Sequence, residues 1–412
     1  MPNSLTVRLD LEGKTLEVGT LAYRDRSIFF EYAEEALDSD LELSPFRLPL
    51  SPGVKKFDAQ PFEGLAGLFS DSLPDGWGRL LLDRALRADG RLPGELTALD
   101  RLAYVGDSGM GALTYSPSTQ PHELDGEPLE NLEDLSNEMQ TILSGEASNI
   151  LPQLIVLNGS SAGARPKAMV NYNPETEHIV FDTQNKTTNQ LKGYQSWIVK
   201  FPNQQDGKDA GAVEKAYAIM ADNAGIEMTA THLFPSDKSS GFFATQRFDR
   251  SDIGRHHIHS VAGLLHADFR APSLDYRDLL DLTEGITRDR REVLKMYRLA
   301  VFNVLAHNRD DHAKNFSFIM NKAGEWRLSP AYDLTFSSGP NGEQSMMVMG
   351  EGQSPGIAEL STLADYADIP AKTAADIIDQ TKAALMDWPT IASDLNVLPR
   401  TLQTVQKALN EF

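Results

Sequence analysis

The segment His307-Asn308-Arg309-Asp310-Asp311-His312-Ala313-Lys314-Asn315-Phe316-Ser317 crowds ionisable and amide side chains into one short stretch, directly after the apolar helical run ending Phe302-Asn303-Val304-Leu305-Ala306. The offset from Asp310 to Asn315 is that of a phosphoryl-transfer catalytic loop, where the Asp accepts a hydroxyl proton and the Asn binds magnesium. Asp311 is a competing base; Asp310 is preferred because its offset to Asn315 fits. Alternatively both aspartates cap a helix or pair with Arg309 and Lys314. Downstream, Phe316–Met320, the turn Asn321-Lys322-Ala323-Gly324 and Glu325–Leu328 read as a β-pair delivering Pro330-Ala331-Tyr332-Asp333. Asp333 then stands where a second metal-binding carboxylate belongs, although Leu334-Thr335 follow it rather than Phe-Gly. Asn315 and Asp333 together offer hard oxygen ligands, which suit magnesium.

Upstream lies Gly159-Ser160-Ser161-Ala162-Gly163-Ala164-Arg165-Pro166-Lys167. Small residues there allow backbone N–H groups to approach phosphates. The segment is neither Gly-x-Gly-x-x-Gly nor Walker A, and a hairpin turn between two apolar strands is the plain alternative. Lys200 interrupts the apolar strand Trp197–Phe201, so it either points outward or has an anionic partner. Glu214, at the start of the next helical stretch, is the available carboxylate. Thr245-Gln246-Arg247-Phe248-Asp249-Arg250 follows as a linker strand able to lend backbone groups to adenine, or else to form a surface salt-bridge cluster. Glycine loop, strand lysine, helix glutamate, linker, catalytic Asp and Asn, and metal Asp occur in the order one mechanism demands, and that order outweighs any single motif. His256, His257 and His259 lack a zinc-type pattern and read as a solvated strand. Ser160 and Ser161 lack a nucleophile elbow.

The elements that must position these groups are mixed. Residues 4–10 and 15–24 alternate as strands, and 76–88 reads as a helix entered through Leu73-Pro74-Asp75. The acidic stretch 118–150 is expected to be a solvated helix or connector. Leu154–Leu157, Ala168–Tyr172 and His178–Phe181 are apolar bursts expected as strands, 212–224 reads as a helix closed by Gly225, and Gly241–Thr245 is a further strand. Helices are expected at 274–284, 290–307, 370–387 and 398–410. The fold class is α+β: a two-lobed, kinase-like fold with an extra N-terminal module (1–120), a mixed α/β N-lobe (121–248) and a mostly α-helical C-lobe (249–412).

With 412 residues, 41% hydrophobic and 24% charged, the chain can bury sizeable cores. It has no cysteine, which excludes disulfides, thiolate zinc sites and Cys nucleophiles. Its 59 acidic and 38 basic residues leave a net charge of -21. No Lys or Arg occurs from Leu102 to Ala164, so nucleic acid or an anionic membrane finds no general basic face, and any DNA contact is expected to be local or made by a partner. No apolar run suggests a leader or a membrane span, and a cytoplasmic protein is expected.

These residues resemble the HipA-like toxin kinases of bacterial type II toxin–antitoxin systems, over nearly the whole chain. Gly64-Leu65-Ala66-Gly67-Leu68-Phe69, Leu73-Pro74-Asp75-Gly76-Trp77-Gly78, Val105-Gly106-Asp107 and Met110-Gly111-Ala112-Leu113 are similar to the family's N-terminal module. Ser160–Ala164, Ile198-Val199-Lys200, Gln246–Arg250, Asp310–Ser317 and Pro330–Asp333 match its kinase motifs. The resemblance implies an ATP- and magnesium-dependent protein serine/threonine kinase whose substrates are aminoacyl-tRNA synthetases, so that their modification starves translation. It implies nucleotide contacts from Ser161, Ala162, Gly163, Ala164, Lys200, Glu214, Gln246, Phe248, Asp249, His312, Lys314, Asn315 and Asp333. It also implies inhibitory autophosphorylation at Ser160 or Ser161, and a HipB-like helix-turn-helix antitoxin through which alone DNA is reached. The chain departs from the family's pattern at Gln246, where many members carry Glu, and at Arg165-Pro166, which replaces a more flexible polar pair. Two other readings use the same residues: a catalytically weak partner or corepressor of the antitoxin, and a kinase of a lipid or small-molecule hydroxyl.

Overall fold

The computed structural model describes residues 2–88, 90, 92, 94, 96–120, 131–146, 151–158, 163, 165–181 and 192–411. The N-terminal module is an antiparallel sheet of β1 (Ser4–Leu11), β2 (Lys14–Arg24), β3 (Ser27–Tyr32), β4 (Lys55–Lys56) and β5 (Leu113–Ser116), ordered β4-β3-β2-β1-β5. Strand alternation puts Leu5, Val7, Leu9 and Leu11 on one buried face. That face packs with Leu68 and Phe69 of the Gly67–Ser70 helix and with Leu99 and Leu102 of the Ala98–Val105 helix. Thr97 and Asp100 close the latter's N-terminus as a reciprocal capping box.

The second sheet comprises β6 (Lys167–Asn173), β7 (His178–Val180), β8 (Gln195–Lys200), β9 (Thr231–Phe234) and β10 (Phe242–Gln246), in the order β7-β6-β8-β10-β9. Its core contains Tyr172, Trp197 and Val199 together with Leu135 and Met139 of the Leu132–Leu143 helix. One expectation fails here and another holds only in part. Leu154–Leu157 lies in a helix, Leu151–Asn158, because four consecutive apolar residues buried on all sides fit either element and periodicity cannot separate them. The acidic stretch is a helix over Leu132–Leu143, one of its two expected forms, but it is not solvated all round: Leu132, Leu135, Met139 and Ile142 recur at helical spacing and are buried. Trp77 and Leu81, from the Gly76–Ala88 helix of the first module, complete this core.

After the short hairpin β11 (Arg250–Ser251) and β12 (Gly254–Arg255), a three-stranded antiparallel sheet of β13 (His257–Ser260), β14 (Ser317–Met320) and β15 (Trp326–Leu328) sits among helices. Helices Tyr276–Thr287, Arg290–Leu305, Ala371–Met386 and Pro399–Leu409 lie close to where the sequence places them. Asp275 and Asp289 cap the first two. Their apolar faces form one large core with Tyr217 and Met220 of the Ala210–Asn223 helix. Among the described residues no helix is long and apolar enough to cross a membrane.

Buried polar contacts join the first module to the rest. His259 Nδ1 lies 2.6 Å from Asp71 Oδ2 and its Nε2 lies 2.9 Å from Ser44 Oγ, while Asp71 also accepts from the backbone and side chain of Ser260. The solvated-strand expectation fails for two of the three histidines: His257, facing the Leu43 carbonyl, and His259 are buried, while His256 faces Ser251. The Gly67–Ser70 helix crosses the Val261–Leu265 helix backbone to backbone, and a Cβ on Gly67 would lie 2.0 Å from the Gly263 carbonyl oxygen. Gly67→Ala should therefore destabilise the protein by about 1–3 kcal/mol through forced separation of the two helices. Gly94→Ala, where a Cβ meets nothing within 4 Å, should be near neutral. Chemical denaturation of both variants tests this; equal midpoints would remove the close approach as a constraint.

Candidate active site

Strand alternation on β8 sends Trp197 and Val199 into the core and Lys200 to the opposite face, where its side chain is 11% exposed. The ammonium sits between Glu214 Oε1 and Asp333 Oδ1. The sequence alternative of an outward lysine is thereby excluded. Glu214 belongs to the Ala210–Asn223 helix, and its other oxygen lies 3.6 Å from Arg165, which also reaches Asp206 at 3.2 Å. Burial alone would drive the Lys200 pKa down, but Asp333 and Glu214 outweigh it and the net shift is upward. Burial would likewise raise Asp333, yet Lys200 and Lys167 hold its carboxyl well below the usual carboxylate range. Asp333 thus stays ionised, and it sits in the left-handed region at φ 60°, a backbone conformation that residues other than glycine adopt seldom.

The hairpin of β14 and β15 brings Asp333 to the segment Asp310–Ser317. Tyr332 O–H donates to the Lys314 carbonyl at 2.7 Å and its oxygen lies 2.7 Å from Ser317 Oγ. Phe248 packs against the Tyr332 ring at 5.6 Å. In the segment itself the two neighbouring aspartates separate completely. Asp311 is fully buried and accepts from Tyr276 O–H (2.6 Å), Gln344 Nε2 (2.9 Å) and Met346 N–H (3.0 Å), with burial pushing its carboxyl up to about 7. Asp310 is exposed. Its pKa is raised by desolvation at the cleft and by Asp333, against the opposing pull of His312 and Arg165. Asn315 ends a short 3-10 turn and donates its amide N–H to the Asp310 carbonyl at 2.7 Å. Its Oδ1 is consequently left as an acceptor.

Of the glycine segment, Ser160, Ser161, Ala162 and Ala164 lie outside the described residues. Gly163 is held on both sides by the first module: its N–H donates to Asp75 Oδ1 and its carbonyl accepts from Trp77 N–H at 3.1 Å. The segment connects the Leu151–Asn158 helix to β6, so the hairpin-turn alternative does not apply. Lys314 Nζ donates to the other Asp75 oxygen at 2.7 Å and lies 4.6 Å from the Phe269 ring centroid, while His312 packs on the same ring. Sequence reasoning did not assign Asp75 to the site: it read as part of a helix entry and of a motif similar to the N-terminal module, and no local pattern signals a partner this far along the chain.

The linker strand departs from expectation in part. Gln246 N–H bonds the Ala230 carbonyl and Arg247 N–H bonds the Ser196 carbonyl, so both donors belong to the sheet. Asp249 is a correction. It is fully buried, forked by Arg247 at 2.8–2.9 Å, held by Arg250 at 2.7 Å and by Gly111 N–H at 2.7 Å. With both oxygens engaged, its carboxylate faces the first module. Arg250 reaches the Gly109 and Gly111 carbonyls, so the charge cluster is a buried joint and the surface-cluster alternative does not hold.

Ionised Asp333 and the free Oδ1 of Asn315 are hard oxygen donors that fit a magnesium ion, and Lys200, Lys167 and Lys314 supply cations around them. The arrangement can neutralise a polyphosphate beside an exposed carboxylate.

Comparison with known proteins gives two family matches: the HipA N-terminal domain over residues 9–116 and the HipA-like C-terminal domain over residues 159–388. Two proteins of Sinorhizobium fredii (strain NBRC 101917 / NGR234) that carry kinase names are similar to the chain. Y4mE is 28% identical across 91% of this chain and 82% of its own length. Y4dM is 33% identical over 34% of this chain, and the matched part spans only 37% of that protein. Among solved structures, HipA in the Shewanella oneidensis MR-1 complex of HipA, HipB and operator DNA superposes with a TM-score of 0.68 at 18% identity, covering 98% of this chain and 95% of that one. That likeness is one of fold, the two-lobed kinase-like arrangement with its added N-terminal module. With one family domain spanning more than half its length and the companion domain preceding it, the chain belongs to the HipA-like family.

Proposed function

We propose that the protein is an ATP-dependent protein serine/threonine kinase of toxin type. The observation that carries this reading is Lys200, a buried strand lysine in contact with a helix glutamate and with the carboxylate that follows the β14–β15 hairpin. The kinase names of the Sinorhizobium relatives support it. In this reading Lys200 holds the α- and β-phosphates, with Glu214 fixing its position. Asn315 and Asp333 hold magnesium, which would neutralise charge on the phosphates. Asp310 orients the acceptor hydroxyl and takes its proton as the oxygen bonds to the γ-phosphorus and the bond to ADP breaks. Asp311 serves as a fixed anchor beneath Asp310, being buried and already accepting three hydrogen bonds. His312 and Lys314 border the same cleft.

The acceptor we infer is a serine or threonine of an aminoacyl-tRNA synthetase, with loss of charging as the growth-arresting outcome. Modification of Ser160 or Ser161 would add roughly -1.5 to -2 charges beside the triphosphate and oppose its binding. A HipB-like antitoxin is the inferred partner, by extension from the Shewanella complex of like fold. At a net charge of -21, operator DNA would be contacted through that partner.

Asp310→Ala should reduce phosphate transfer by at least about 10²-fold while ATP binding persists. Radiolabel transfer with the purified protein and a cytosolic extract reads the first and calorimetry the second; full activity in the variant would reject Asp310 as the base. Dialysis against a chelator should silence transfer, and magnesium should restore it. Because the Asp310 pKa is raised, its carboxyl becomes protonated at a higher pH than an ordinary aspartate. The acid limb of kcat/KM should therefore lie at higher pH than for an ordinary aspartate, and an acid limb at ordinary aspartate values would contradict the assignment.

A further inference from the structure

Asp75 belongs to neither kinase lobe. It stands in the first module, at the turn into the Gly76–Ala88 helix, and is 6% exposed. Its two carboxylate oxygens face different parts of the site. Oδ1 accepts the backbone N–H of Gly163 in the glycine segment, and Oδ2 accepts from Lys314 Nζ in the catalytic segment at 2.7 Å. Two residues on, Trp77 N–H donates to the Gly163 carbonyl, so the first module grips both backbone polar groups of one glycine. Gly163 sits at φ 109°, a backbone conformation that residues with a side chain rarely adopt, so a larger residue would be strained at this junction. The neighbouring Gly78 is confined, with a Cβ there meeting Asn158 Nδ2 at 2.4 Å.

Each arm of this contact has a distinct consequence. A buried charge-assisted hydrogen bond holds the backbone of Gly163. The ion pair with Lys314, whose ammonium also lies over the Phe269 ring, restricts a long side chain that would otherwise sample many rotamers. We propose that Asp75 is a positioning residue for phosphoryl transfer, by which the N-terminal module clamps Gly163 and Lys314 into a common register. This rests on the kinase reading above and goes beyond it in giving the first module direct control over the nucleotide site.

Two substitutions separate the arms. Asp75→Asn keeps an oxygen able to accept from Gly163 but presents an amide or an uncharged oxygen to Lys314. It should leave KM for ATP near its original value and lower kcat roughly tenfold. Asp75→Ala removes both contacts and should also raise KM for ATP by roughly tenfold. Lys314→Met should reproduce the kcat loss, and the double variant Asp75→Asn/Lys314→Met should be little worse than either single one, because the two side chains act through one contact. Steady-state kinetics on the full chain, with thermal melts alongside, reads all of these. The proposal is overturned if kcat and KM of Asp75→Asn match the original protein, if the losses in the double variant multiply, or if every loss simply follows a fall in melting temperature. Failure of the unaltered protein to bind ATP in the same calorimetric assay would instead overturn the kinase reading beneath it.

Discussion

The ammonium of Lys200 is the charge on which the arrangement of the two lobes depends. A buried cation is tolerated only if it is paired, and its two partners come from opposite directions: Glu214 from the helix packed on the second sheet, Asp333 from the hairpin of the C-lobe. Satisfying one lysine thus fixes the helix, the strand and the hairpin relative to one another. Arg165 adds a second cation to Glu214 from the far side. The left-handed backbone at Asp333 is consistent with this: the conformation persists because Tyr332, hydrogen-bonded to Lys314 and Ser317, holds the chain leading into the turn.

The first module is joined to this frame by aspartates, each placed opposite a different element. Asp71 meets His259 and Ser260, Asp75 meets Lys314 and Gly163, and Asp249 returns the arrangement from the kinase side by bonding Gly111. Gly67 and Gly263 let the helices close to backbone contact between them. A module boundary drawn through the sequence therefore cuts through shared cores, as the placement of Trp77 and Leu81 among residues of the second sheet demonstrates. Much of the protein's acidity lies on its surface, but these three carboxylates are structural ties.

Groups whose order and local spacing carry the chemistry can be read directly from the chain. Lys200, Glu214 and Asp333 come together in the structure, Asn315 bonds the Asp310 carbonyl, and the C-lobe helices follow their 3.6-residue periodicity closely. What the chain does not disclose depends on contacts between distant segments. Asp249 sits in a recognisable motif, yet its role is set by Gly111, which nothing in the linker's own pattern indicates. Asp310 and Asp311 are chemically identical neighbours, and only the tertiary positions of Tyr276, Gln344 and Met346 distinguish the buried anchor from the exposed acid. Leu154–Leu157 shows the limit of periodicity itself, since a short run buried on every side has no polar phase from which to read a period.

The hydrogen bonds under Asp311 also bear on how the site meets heat. Tyr276 is drawn from the buried face of a C-lobe helix, and Asn303, which donates to the Tyr276 oxygen and accepts from Asn308, comes from the next. The segment carrying Asp310 is therefore built into the same cooperative unit as the lobe's apolar core rather than laid over it. Such a segment has little ordering entropy left to lose when a substrate arrives, and it has no separate melting step of its own. Thermal inactivation should set in with the unfolding of that core, so the working temperature range of the site is inherited from the packing of the C-lobe.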